Sequence, residues 1–173
     1  MTTLTDGSPR LSPAIAALIS SASVFVPLAM SVSTTPSPNH PRIFVWYRLL
    51  RQPSFKPPDW LFPAAWTGIE VSLAVSAYRL LRSRSTVERA RAVGLWCANT
   101  LMIGGWSHLF FGRRNLAQST VAAAALTATS IAYIGETRKV DKLAARAALP
   151  LVGWVAFATV LTASIWALNS KRN

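Results

Sequence analysis

Residues 11–39, 92–112, 115–135 and 147–170 contain no aspartate, glutamate, lysine or arginine, and each of these stretches is at least 21 residues long. A helix rising about 1.5 Å per residue needs roughly 20 residues to cross a hydrocarbon core. A fifth stretch, residues 60–78, is broken only by Glu70. At 51% hydrophobic and 14% charged the chain is too apolar for a water-soluble domain of its 173 residues. The pattern predicts an all-α integral membrane bundle of five transmembrane helices in a single domain, 1–173. The spans fall at about 11–32, 60–81, 92–111, 116–134 and 149–168, with a lid loop at 33–59.

The net charge of +12 raises nucleic-acid binding, but the cations sit in the connections between apolar stretches: Arg79, Arg82, Arg84, Arg89 and Arg91 in one, Arg113 and Arg114 in another. Placed there, they suit anionic lipid headgroups, so membrane lipid is the expected partner and nucleic acid is not. Five spans put the termini on opposite sides. One side then carries ten basic residues and the other eight, Lys171 and Arg172 included, which sets no orientation by the positive-inside rule. The expected location is multi-pass, in a bacterial, mitochondrial or other organelle membrane alike. Cys97, the one cysteine, excludes an internal disulfide and reads as a buried, inert side chain.

Between the first two apolar stretches, Ile43, Trp46, Tyr47 and Leu50 recur at helical spacing, opposed by Arg48, Arg51 and Gln52. This predicts a short amphipathic helix lying on the membrane as a lid. Pro57 and Pro58 then force an extended approach. Asp59 is placed to cap a helix starting at Trp60, with Pro63 tolerated in its first turn. In the fourth span Ala124, Ala128 and Ala132 form a small-residue ridge, suited to close packing inside the bundle first and to a homodimer second.

Isolated His40 and His108 bring no HExxH, and no GxGxxG, nucleophile triad or metal-ligand cluster accompanies them, so no catalytic or metal residue is assigned. Six of the seven tryptophans fall in or at the ends of spans. Trp60 and Trp166 suit an interfacial belt. Trp66, with Pro63, Glu70 and Ala74, shares one face of the second span, and Trp154, with Ala158, Thr162 and Trp166, one face of the fifth. Facing each other, these two faces wall a flat apolar cavity or simply pack; composition does not choose.

The segments WYRLLRQPSFKPPDWLFPAAWTGIE, WSHLFFGRR and ALPLVGWVAFATVLTASIWALN occur in this order between Trp46 and Asn169. They resemble the translocator protein family, also called tryptophan-rich sensory proteins or peripheral benzodiazepine receptors, with its pattern WYxxLxKPxxxPPxWvFxxxWTxLY, WSxLFFG and PYxxWxxFATxLN. The resemblance implies a five-helix bundle that binds tetrapyrroles, sterols and synthetic aromatic compounds beneath the first loop. It places pocket residues at Tyr47, Pro57, Trp66, Trp154 and Ala158. The family's tyrosine after WTxL is Glu70 here, its third-helix glutamine is Asn99, its third-helix asparagine is Ile103, its last-helix asparagine is Thr162, and Pro150 is followed by Leu151.

A carboxylate within a span faces protein or water, so Glu70, one turn from Trp66, is expected in the pocket. Asn99 and Thr162 complete the candidate ligand-binding set, with Asn99 also read as an interhelical hydrogen-bond partner. The final helix lacks the tyrosine of a sterol motif, whereas Val75, Tyr78 and Arg82 meet only its loosest form. A tetrapyrrole, protoporphyrin IX or haem, therefore ranks above a sterol, and no cofactor is required. Two other roles stand beside a receptor or transporter: light- and oxygen-dependent porphyrin breakdown, for which the chain supplies no dedicated catalyst, and a ligand-independent membrane scaffold or sensor.

Overall fold

The computed structural model describes residues 10–170, so Lys171 and Arg172 of the charge tally lie outside the described residues. Those residues are mostly helical, with no strand among them. α1 (Pro13–Ser23) and α2 (Phe25–Ser31) form one rod, Pro13–Ser31, broken at Val24. The break has a local cause: Pro27 has no N–H to donate to the Ser23 carbonyl, and the ladder tightens there to a Val24-to-Ser21 bond of 3.3 Å. Ser12 caps α1 by accepting the Ile15 N–H.

α3 (Pro41–Leu49) is the amphipathic helix expected in the first loop. α4 spans Leu61–Arg82. Asp59 does not cap it, because its carboxylate pairs with the Lys56 ammonium instead, and the residue at the cap position is Trp60. α5 (Val87–Ser107) begins five residues before the expected span, where the Thr86 hydroxyl accepts the Arg89 N–H. Arg89 and Arg91 are therefore helical residues, not loop residues. A π-helical turn, His108–Gly112, extends its other end. α6 (Leu116–Val140) outruns the expected span by six residues, and α7 (Lys142–Ala147) leads into α8 (Leu149–Asn169) with Pro150 in the first turn.

The helices close a ring: α1 lies on α4, α2 on α5, α5 on α6, α6 on α8, and α7 with α8 returns to α4. Two rods, Pro13–Ser31 and Lys142–Asn169, are long and apolar enough to cross a membrane by length and composition alone. Apolar side chains line the outside as well as the core, and some polar groups are buried. Ser76, Asn99, Ser119, Ser130 and Thr162 are buried, while Leu18, Phe25, Val71, Val75, Leu101, Val121, Ile131 and Val160 point outward.

The interior polar groups bond across helices. Ser76 Oγ and Tyr133 Oη lie 2.7 Å apart between α4 and α6, and Thr127 Oγ1 and Thr159 Oγ1 lie 3.0 Å apart between α6 and α8. The Trp106 Nε1–H donates to the Ser119 carbonyl at 3.0 Å.

Two expectations are corrected. Ala124, Ala128 and Ala132 all face outward, because Ser119, Leu126, Ser130 and Tyr133 take the inner face of α6. Cys97 is exposed rather than buried.

Candidate functional site

α3 and the prolines after it hold an extended strap against the bundle. Arg51 is the anchor: its N–H donates to Asn169 Oδ1 (3.1 Å), and Asn169 Nδ2 donates back to the Arg51 carbonyl (2.9 Å). Asn169 ends α8, so its side chain binds the strap's backbone as a neighbouring strand would. Beyond Arg51, the Lys56 ammonium lies 5.2 Å from the centre of the Tyr47 ring. Burial pushes the Tyr47 phenol above its ordinary value despite the opposing charge of Lys56.

Beneath the strap the aromatic rings form two groups. Tyr47 meets Phe111 at 5.6 Å and Phe110 at 6.4 Å, and Phe110 stacks on Trp106 at 4.9 Å. Deeper, Trp154 meets Trp66 at 6.4 Å, Phe62 at 5.6 Å and Phe157 at 5.6 Å. Phe157 meets Phe55 of the strap at 6.4 Å. Each group reaches from the first loop into the bundle, mostly through the edge-to-face contacts that aromatic quadrupoles favour, and the two meet through the apolar cluster around Leu161 and Ile165 rather than ring to ring.

The sequence places Trp66 and Trp154 opposite each other, and the structure brings their rings into contact at an interplanar angle of 84°. The expected slot between the indoles is occupied by the indoles themselves. The cavity that borders Trp154 is a groove of about 480 Å³ between α4 and α8. Ala64, Gly68, Pro150 and Gly153 in its wall are exposed, so it opens on the outside of the bundle rather than beneath the strap.

Pro57, Glu70 and Ala158 are half-buried, Pro57 in the strap and Ala158 one turn above Trp154. Glu70 lies one turn from Trp66, and its carboxylate hydrogen-bonds no other described residue. Asn99 is buried and fully engaged: its Nδ2 donates to the carbonyls of Leu95 (2.8 Å) and Thr129 (3.4 Å), and its Oδ1 accepts from Thr129 (3.0 Å) and Ser130 (2.9 Å). These four bonds join α5 to α6 and leave no polar atom over for a ligand. Thr162 is likewise buried and donates to the Ala158 carbonyl at 2.7 Å. In this geometry both side chains are engaged within the bundle, Asn99 in the interhelical role already expected of it.

Phe55, Phe62 and Phe157 were missed. The signal for Phe157 lies in the sequence, three residues after Trp154 and on the same helical face. Phe55 carried none, because an extended strap has no period that aims its ring.

The TspO/MBR family model matches residues 22–167. Protein CrtK of Rhodobacter capsulatus is 33% identical over 127 residues, covering 72% of this chain and 78% of CrtK. The translocator protein of Sus scrofa is 28% identical over 133 residues, covering 73% of this chain and 76% of its own. The tryptophan-rich protein TspO of Chlorobaculum tepidum is 29% identical over 144 residues, covering 82% and 91% respectively.

Proposed function

Because the chain belongs to the TspO/MBR family, whose members are membrane proteins, we propose that it is a five-span membrane receptor or transporter for a flat apolar ligand, with a tetrapyrrole ranked above a sterol. The five-span count is supported by the outer faces: each of the five rods turns large apolar side chains outward and buries a hydroxyl or amide group inside. The names of its relatives, translocator protein and tryptophan-rich sensory protein, fit a sensory or transport-like role.

The observation that carries the ligand proposal is the aromatic group that joins Phe55 of the strap to Phe157, Trp154, Phe62 and Trp66 in the bundle. With the indoles edge to face, a planar ring does not slide between them. It stacks against the pair once the strap and Phe157 move aside, and apolar burial supplies the affinity. Glu70, one turn below Trp66, then meets a polar or cationic edge of the ligand.

Tryptophan quenching by protoporphyrin IX in detergent tests this. Trp66→Ala and Trp154→Ala should each weaken binding by about tenfold, the loss of a ring contact worth roughly 0.5–1.5 kcal/mol together with its buried area. Trp166→Ala, whose ring is 43% exposed on the outside of α8, should leave binding unchanged. Equal loss from all three variants removes the site.

A further inference from the structure

The end of the bundle away from the strap is where α4 turns into α5 and where α6 stops. There Arg10, Arg82, Arg84 and Lys139 line a crevice of about 700 Å³, with Thr86 and Glu88 in the same wall. The cations come from separate places in the chain: the segment before α1, the end of α4 with the turn after it, and the last turn of α6. Their convergence is a product of the fold rather than of one basic run.

Neighbouring arginines are committed to structure. Arg89 donates from Nε to the Leu80 carbonyl (2.9 Å) and from Nη2 to the Leu81 carbonyl (3.1 Å), closing the end of α4. Arg79 pairs with Asp141 at 2.9 Å. In the crevice, Arg82 gives one N–H to the Leu11 carbonyl (2.8 Å), which fixes the guanidinium in the wall. Lys139 is paired with Glu136 at 2.6 Å. Among the described lining residues basic side chains thus outnumber Glu88, the one carboxylate in the wall, although Lys139 shares its charge with Glu136. The N-terminus of α5, capped by Thr86, adds the positive end of a helix dipole.

We propose that this crevice holds a phosphate anion, and that the phosphate is that of an anionic phospholipid headgroup. Guanidinium groups match phosphate oxygens in geometry as well as charge. The lipid source follows from position. The crevice sits at the end of the apolar rods, next to Val87, whose side chain is 63% exposed. A headgroup there leaves its acyl chains along the outside of α4 and α5, where Val71, Val75 and Leu101 already face outward. The site is separate from the aromatic groups and does not depend on them.

The test is thermal unfolding of the full chain in detergent, titrated with phosphatidylglycerol, with phosphatidylcholine, and separately with inorganic phosphate. Phosphatidylglycerol should raise the midpoint saturably and phosphatidylcholine should not. Arg10→Gln with Lys139→Gln should shift half-saturation by roughly thirtyfold, since each basic residue near an anionic surface contributes about a factor of five. Lys142→Gln with Arg146→Gln removes the same charge from the same end outside the crevice, and should shift it by no more than about threefold. If the first pair fails to fold, Arg10→Gln alone, which breaks no hydrogen bond among the described residues, should still shift it about fivefold. Saturation by inorganic phosphate with the same variant dependence supports the anion site and overturns its lipid source. Equal losses from both pairs, or no saturable effect of either ligand, overturn the site itself.

Discussion

The contact between Asn169 and Arg51 gives a quantitative handle on the strap. Asn169→Ala removes the acceptor of the Arg51 N–H and the donor to the Arg51 carbonyl, at 3.1 and 2.9 Å. Both bonds are exposed, so each lies at the low end of the usual range, about 0.5–1 kcal/mol, and the pair contributes roughly 1–2 kcal/mol to docking. At 1.4 kcal/mol per factor of ten, the undocked population rises about five- to thirtyfold.

Trypsin reads this directly in detergent, because the bond after Arg51 is held against α8 when the strap is docked, whereas the bond after Lys56 is protected by Pro57 in every state. With protease scarce enough that reclosing outruns cleavage, the cleavage rate tracks the undocked population and rises by the same factor. Asn169→Asp keeps the acceptor and loses the donor, so it should fall between the wild type and alanine. Unchanged cleavage after Arg51 in Asn169→Ala, at an unchanged unfolding midpoint, would refute the latch. If the aromatic site lies beneath the strap, the same variant should also speed porphyrin association.

Two further outcomes follow from the packing. A Cβ at Gly104 would sit 2.7 Å from Met30 Cβ and Sδ. The thioether can swing away but the Cβ moves only with α2, so Gly104→Ala should cost about 1–3 kcal/mol and lower the unfolding midpoint by several degrees. Gly105→Ala, which meets nothing within 4 Å, should be neutral or slightly stabilising. Burial raises the pKa of Asp141, but the N–H groups at the start of α7 and the Arg79 guanidinium outweigh it and hold the carboxyl below its ordinary 3.8. Its contribution to stability is therefore present above that value and lost as pH falls through the lower folded value. Asp141→Asn should flatten the acid limb of the midpoint-against-pH curve below about pH 4, and an unchanged limb would show the pair to be idle.

The sequence alone determined the class of molecule. Charge-free stretches of membrane length leave the backbone no partner but itself, so helices were dictated without reference to any neighbour. The 3–4 spacing of Ile43, Trp46, Tyr47 and Leu50 likewise gave α3, because an amphipathic period is a local property of the chain. The motifs from Trp46 to Asn169 gave the family. The tertiary structure decided how the helices are rotated. Asp59 turned to Lys56 instead of capping α4, and the alanines of α6 went outside once Tyr133 and Ser130 had found partners within.

Rotation was illegible for a physical reason. In a soluble helix one apolar stripe marks the inside, but every face of a lipid-borne helix is apolar enough to be either side, and the few hydroxyl and amide groups choose by whom they can bond. The same rule made Asn99 a rivet between α5 and α6, the interhelical role expected of it, and left Trp66 and Trp154 touching rather than parted.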